Sequence, residues 1–228
     1  MKAILLAAGF GTRLRPLTNN IPKCLVPING KPLLEIWLDK LTNIGIKEFL
    51  INTHYLSEKV VDFINQSRYK NNCKVVYEKK LLGTAGTLLS NLSFIENECI
   101  LIHADNYCED DLTDFVKSHS LRPIQTKITV MCFRAEDPSK CGIFTVDEKN
   151  IVTSFFEKVQ SPPSNLANGA VYILSSDFIK VLKSKYSQSI DFSLDVLPNF
   201  VNKIYCYETE KKYVDIGTPE NYKRVNNS

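Results

Sequence analysis

KAILLAAGFGTRLRP, residues 2–16, carries an apolar run (Ala3, Ile4, Leu5, Leu6), two small residues, two glycines one residue apart, a threonine, and two arginines around a leucine. An apolar run without polar alternation is the pattern of a strand buried on both faces. What leaves that strand is a flexible, positively charged loop. Gly9 and Gly11 tolerate positive φ and let backbone N–H groups approach an anion, while Arg13 and Arg15 offer guanidinium forks that match phosphate oxygens. The dinucleotide fingerprint G-x-G-x-x-G would need glycine at Leu14, and the pattern G-x-x-x-x-G-K-[ST] is absent. Taken alone, the loop is compatible with a structural turn.

Outward from this stretch the chain alternates. Strands are predicted at 2–7, 47–52, 73–77, 98–103 and 127–133, nearly continuous in apolarity as buried parallel strands are. Helical patterns fall between them at 32–44, 56–67, 84–91 and 110–120. In the first of these, Pro32 suits a helix start and Gly45 a left-handed stop. After residue 134 come short strands at 142–146, 151–157, 169–174 and 203–207, with helices at 176–184, at 191–199 and from 218. The expected class is α/β, a Rossmann-like doubly wound sheet, mixed but mainly parallel. One domain, 1–228, is expected, with halves at 1–134 and 135–228, since no linker composition intervenes. Ligands of such sheets sit beyond the carboxyl ends of the strands, where the opening loop lies.

Composition narrows the function. Lys and Arg total 28 against 25 Asp and Glu, a net charge of +3, too small to indicate nucleic acid or a membrane surface. With 228 residues, 44% of them hydrophobic, the chain can bury a core without disulfides or metal. Residues 1–8 are too short to span a bilayer and lack the flanks of a signal peptide. The seven cysteines are odd in number with no C-x-x-C pair, which predicts free thiols and a cytoplasmic protein.

The stretch LLAAGFGTRLRPLT followed by PKCLVPINGKPLLE resembles the start of the sugar-1-phosphate nucleotidylyltransferases, and the short mannose and heptose 1-phosphate guanylyltransferases in particular. The likeness continues in family order through YEKKLLGTAGTL, LIHADN, FEKV, NGAVYIL and DIGTPENY, from residue 3 to 222. It implies attack by a sugar 1-phosphate on the α-phosphate of a nucleoside triphosphate, with release of pyrophosphate. Catalysis of that reaction is mostly positioning and charge neutralisation.

Carried onto this sequence, the resemblance implies that Ala7, Ala8, Gly9, Gly11 and Thr12 form the nucleotide loop. Arg13 and Lys23 act on the phosphates, and Glu78, Gly83 and Thr84 meet the base. Asp105 and Asp215 would hold Mg2+. Lys158 is a catalytic cation for the sugar phosphate, with Asn106, Glu157, Asn168 and Gly169 on the sugar side. Asp191 either faces the sugar or caps the helix that follows it. Arg15 is expected in solvent and His103 packed at its strand end. Leu81 stands where the family more often has proline, and Ala104 where it more often has glycine before the aspartate.

GTP is the expected nucleotide, with Glu78 accepting from guanine N1–H and the 2-amino group. A UTP- or dTTP-using enzyme and a cytidylyltransferase acting on a phosphorylated non-sugar molecule are the alternatives. A binding-only relative would be expected to lose Arg13, Lys23, Asp105, Lys158 or Asp215, and all five are present. The expected partners are therefore small molecules, a nucleoside triphosphate and a sugar 1-phosphate, with the protein a monomer or homodimer. Stopping at Ser228, just past DIGTPENY, the chain reads as a minimal single-activity enzyme.

Overall fold

Strand and helix alternate from Lys2 onward in the computed structural model, which describes residues 1–226. The last two residues of the expected 1–228 domain lie outside the described residues. In chain order the elements begin with β1 (Lys2–Leu6), β2 (Pro27–Ile28), β3 (Lys31–Pro32), α1 (Leu33–Asn43), β4 (Phe49–Thr53), α2 (Ser57–Gln66) and β5 (Cys73–Tyr77). They continue with α3 (Gly83–Ser90), β6 (Cys99–His103), β7 (Asn106–Cys108), α4 (Thr113–Leu121), β8 (Ile128–Arg134), β9 (Gly142–Val146), β10 (Val152–Glu157) and β11 (Leu166–Leu174). α5 (Ser176–Lys185), β12 (Ile204–Glu208), β13 (Tyr213–Asp215) and α6 (Pro219–Asn226) complete the chain. The α/β class expected from the sequence is the one observed.

The described residues group into two compact units interleaved along the chain. One comprises residues 2–81, 102–112 and those from Lys211 onward; the other comprises Met1, 82–101 and 113–210. Strand β6 lends residues to both.

In the first unit β1 and β5 flank β4 in parallel, with Leu6 opposite Asn52 and Asn52 opposite Val76. All five residues of β4 are buried, which is why its sequence shows no polar alternation. Helix α1 turns Leu34, Trp37, Leu38 and Leu41 inward at helical spacing, and the Trp37 indole donates to the Asn106 carbonyl at 2.8 Å. Gly45, at φ 86°, ends it as expected.

In the second unit β11 runs antiparallel to both β8 and β9, β9 antiparallel to β10, and β12 parallel to β8. Strand β8, expected among the parallel ones, is parallel to β12 and antiparallel to β11. Its apolarity reports burial on both faces and does not fix the direction of each neighbour. Tyr172, Phe178, Phe192 and Phe200 form an aromatic core with ring centroids 4.8–5.9 Å apart. The helix expected at 191–199 is a π-helical segment, Phe192–Val196, followed by a 3-10 turn at Leu197–Phe200. Pro198 has no N–H to continue an α-helical ladder there.

The expectation of seven free thiols is corrected. Cys132 and Cys206 are joined as a disulfide between β8 and β12, with a Cα separation of 6.3 Å and a sequence separation of 74. Parallel pairing of two strands so distant in the chain brings these side chains together, and cysteine spacing alone cannot reveal it. Cys24, Cys73, Cys99, Cys108 and Cys141 are free. Among the described residues no helix is long and apolar enough to cross a membrane.

Candidate active site

In the first unit two acids and two bases converge. Lys23 Nζ lies 2.9 Å from Asp105 Oδ2 and 3.1 Å from Asp215 Oδ1, so one ammonium bridges both carboxylates. Arg13 Nη2 stands 3.5 Å from the other oxygen of Asp215. The Lys23 side chain is only 7% exposed, whereas Asp105 and Asp215 keep 40% and 48% of their side-chain surface and Arg13 keeps 68%. The cluster is anchored on a buried cation and opens toward solvent through its acids.

Each member is placed by an identifiable piece of backbone. Gly11, at φ 63°, starts the 3-10 turn Thr12–Leu14 that presents Arg13, and Thr18 Oγ1 donates to the Gly11 carbonyl at 2.7 Å. Lys23 opens a second 3-10 turn, Lys23–Leu25, after Pro22. Asp105 follows β6, where Ala104 is wholly buried and its N–H donates to the Leu6 carbonyl at 3.0 Å. The acids were expected to meet because each follows a buried strand, but the device is more specific. Strands β7 and β13 form a two-stranded antiparallel ribbon that sets Asn106 opposite Asp215 in register. Asp105, next to Asn106, is thereby brought to Asp215.

Gly217 completes the arrangement. Its N–H donates to Asp215 Oδ1 at 2.8 Å, and a Cβ in its place would lie 2.7 Å from Arg13 Nη2. A side chain at 217 would require the Arg13 guanidinium to shift from its place beside Asp215.

Electrostatics follows from this geometry. Burial works against the charge of Lys23, but Asp105 and then Asp215 outweigh it and raise its pKa above the ordinary lysine value. Burial likewise opposes ionisation of Asp105, yet Lys23, with a smaller contribution from His103, holds its carboxyl below the usual range. Both shifts favour the charged forms of Lys23 and Asp105. Cys24, beside Lys23, is wholly buried, and its thiol is pushed up to about 12 by burial first and Asp105 second. It is no nucleophile.

The donor set suits a hard divalent cation. Two carboxylates converge on one point that a positive charge already occupies, and Mg2+ is normally held by one or two carboxylates with phosphate oxygens and water. Among the described residues no group of three or more His, Cys, Asp or Glu could hold a metal, so a cation held by Asp105 and Asp215 would need its other ligands from substrate and solvent.

Beside this cluster the ends of β1, β4 and β5 carry a second polar chain. The Ala7 N–H donates to Asn52 Oδ1 at 2.8 Å, and Asn52 Nδ2 donates to Glu78 Oε1 at 2.9 Å. Glu78 is only 5% exposed. Ala7 and Ala8 are buried, Gly9 and Thr12 lie at or near the surface, and Phe10 packs edge-on against His54 at 5.3 Å. Arg15 is exposed as expected. Asn106 is buried on β7.

The second unit holds the remaining candidates. Gly83, at φ 77°, faces the Ile190 carbonyl, which a Cβ would meet at 2.4 Å, and Thr84 Oγ1 accepts from the Phe192 N–H at 2.7 Å. Both residues therefore dock the 190–192 segment. Asp191 caps: its Oδ1 accepts from the N–H groups of Ser193 and Leu194 at 2.8 and 2.9 Å. Asn168 donates to the Tyr172 hydroxyl at 2.7 Å and accepts from the Ala170 N–H at 2.9 Å. The register of β11 against β8 shifts between Asn168 and Tyr172, and this bulge contains Gly169 and Ala170, the latter at φ 52°. Lys158, at φ 51°, lies 3.4 Å from Glu157 and is 67% exposed. Lys158 and Ala170 are two of seven non-glycine residues at positive φ among the described residues, and each such residue costs about 1 kcal/mol or more.

Three participants were missed in the sequence: Asn52, Gly217 and Tyr172. Gly217 lies inside DIGTPENY, so a glycine after the acid was a usable signal. Asn52 and Tyr172 sit within apolar strands and carry no local signal.

A glycine loop with an arginine, convergent carboxylates and α/β architecture define a protein that handles phosphorylated nucleotides. The chain belongs to the nucleotidyl transferase family, whose model matches residues 2–228. It is 32% identical to a D-glycero-alpha-D-manno-heptose 1-phosphate guanylyltransferase of Campylobacter jejuni over 97% of each chain. It is 28% identical to a mannose-1-phosphate guanyltransferase of Saccharomyces cerevisiae over 97% of this chain, but spans only 63% of that enzyme's length. The solved structure of HddC from Yersinia pseudotuberculosis superposes with a TM-score of 0.82 at 28% identity, covering 99% of this chain and 98% of HddC. HddC has also been solved in complex with GMP-PN.

Proposed function

We infer that this chain transfers GMP from GTP to a sugar 1-phosphate, giving a GDP-sugar and pyrophosphate. The observation that carries the reading is the bridging of Asp105 and Asp215 by Lys23 beside Arg13, at the exit of a glycine loop. Arg13 and Lys23 neutralise the triphosphate and the charge developing on the pyrophosphate leaving group. Asp105 and Asp215 hold Mg2+, which supplies charge neutralisation between two polyanions. An oxygen of the sugar phosphate attacks the α-phosphate directly, so no protein nucleophile is needed. Lys158 takes the sugar phosphate, with Glu157 and Asn168 for ring hydroxyls and Gly169 for a close backbone approach.

The choice of GTP is supported by the two guanylyltransferases above and by the buried acceptor Glu78. We further propose that the enzyme works in the cytoplasm as a monomer or homodimer, and that its product serves the synthesis of cell-surface polysaccharide. Five nucleoside triphosphates tested against a panel of sugar 1-phosphates, read by pyrophosphate release, check the assignment. GTP with a manno-configured sugar 1-phosphate is the expected best pair. A clear preference for UTP or dTTP would overturn the base, and turnover only with a phosphorylated alcohol would overturn the sugar.

A further inference from the structure

The carboxyl ends of three adjacent parallel strands are tied together by one side chain. Asn52, on β4, is 3% exposed and reaches both ways: its Oδ1 accepts from the Ala7 N–H after β1, and its Nδ2 donates to Glu78 after β5. The direction of these bonds follows from the partners. A backbone N–H can only donate, so Oδ1 must face Ala7, and the amide NH2 must then face Glu78. Glu78 is further fixed at its backbone, where its N–H donates to the Thr53 carbonyl at 2.8 Å and its carbonyl meets His54 Nδ1 at 2.7 Å.

We propose that Asn52 is a positioning residue for base selection: it holds the Glu78 carboxylate as an oriented acceptor and ties it to the start of the nucleotide loop at Ala7. This rests on the reading of Glu78 as the group that recognises guanine. A glutamate side chain has three rotatable bonds, and a buried one without a fixed donor can turn away from its ligand. The hydrogen bond donated by Asn52 at Oε1 helps to fix the carboxylate, and a carboxylate can accept from several donors. The same amide also couples the two ends of the nucleotide, because displacement of Ala7 would be felt at Glu78.

Inosine triphosphate separates base reading from everything else, since hypoxanthine keeps N1–H but lacks the 2-amino group of guanine. A carboxylate that accepts from both groups favours GTP over ITP in kcat/KM by at least about tenfold, the worth of one hydrogen bond to a charged acceptor. Three variants are compared with wild type: Glu78→Gln, Asn52→Asp and Asn52→Ala. Asn52→Asp keeps the acceptor for Ala7 and replaces only the donor facing Glu78. Asn52→Ala removes both bonds, and its folding is checked by circular dichroism and Tm.

The expected result is that the GTP/ITP ratio falls severalfold or more in all three, with the change lying chiefly in KM. A merely structural role for Asn52 would lower activity with both nucleotides alike and leave the ratio intact. If Glu78→Gln lowers the ratio while both Asn52 variants keep it, the positioning role is overturned and the guanine reading stands. If wild type shows no preference for GTP, or Glu78→Gln leaves the ratio unchanged, the Glu78 reading itself fails and the role built on it falls with it. Should Asn52→Ala fail to fold, Asn52→Asp decides.

Discussion

Lys23 donates to Asp105 at 2.9 Å from a position almost out of solvent, while Asp105 itself keeps 40% of its side-chain surface. A buried cation facing partly hydrated acids neutralises Asp105 and Asp215 before any substrate arrives. Lys23→Met therefore leaves two like charges in each other's field. Because both acids reach solvent, the cost is discounted to about 1–2 kcal/mol, a fall in Tm of roughly 3–8 °C. Millimolar Mg2+ should raise the Tm of the variant more than that of wild type. Equal stability of the two proteins without Mg2+ would contradict the bridging role.

Arg13 is the most exposed member of the cluster, so its removal should spare the fold. Arg13→Ala is expected to lower turnover by two or more orders of magnitude, since loss of one donor aimed at transition-state charge costs about 3–4 kcal/mol. Steady-state kinetics with a Tm control checks this, and a variant with wild-type turnover removes Arg13 from the chemistry.

Gly217 gives an independent test of the same geometry. A Cβ there would stand 2.7 Å from Arg13 Nη2 and 2.9 Å from Asp215 Oδ1. Gly217→Ala should shift the Arg13 guanidinium and lower turnover, by less than Arg13→Ala does, although no charge is lost. If Arg13→Ala lowers turnover as much in the Gly217→Ala background as in wild type, displacement of Arg13 is not the cause.

The metal assignment predicts that Asp105→Asn and Asp215→Asn each abolish Mg2+-dependent turnover. Activity of wild type in excess EDTA equal to that in Mg2+ would end the assignment. Full activity of both variants at low millimolar Mg2+ would end it equally.

Away from the site, His119 gives a pH dependence of stability. Its ring is buried, with Nδ1 2.7 Å from Thr129 Oγ1 and Nε2 3.3 Å from Glu98. Burial, then the nearby Arg122, lowers its pKa below 6.5, against the opposing pull of Glu98. The unfolded chain therefore binds a proton more readily than the folded one. The stability associated with neutral His119 is fully present above pH 6.5 and declines as pH falls from 6.5 toward the folded value. Urea midpoints at pH 7.5 and 5.5 should drop more in wild type than in His119→Gln. Parallel drops would show that His119 is not the group responsible.

How much of this was legible in the sequence depended on whether the cause was local. The apolar run before Gly9 and the spacing of Leu34, Trp37, Leu38 and Leu41 report burial through a fixed period, and they located β1 and α1 closely. Asp105 and Asp215 were readable as a pair from their motifs. The ribbon of β7 and β13 that joins them was not, because three-residue strands leave too short a pattern. Asn52 was hidden for a related reason: it lies one position from the end of a buried strand, where a polar residue is meaningful only once its neighbours Ala7 and Glu78 are known. The direction of β8 and the pairing of Cys132 with Cys206 depend on contacts between distant segments, which no window along the chain contains.

The central claim is transfer of a nucleotidyl group, and the fate of the GTP phosphates tests it most directly. GTP labelled at the α-phosphate, incubated with mannose 1-phosphate or heptose 1-phosphate and Mg2+, should place its label in the GDP-sugar, with one pyrophosphate released per product. The transfer should be lost in Arg13→Ala and Asp215→Asn. Label left in GDP while a γ-label moves to the sugar, or label released as free GMP with no sugar product, would contradict the account.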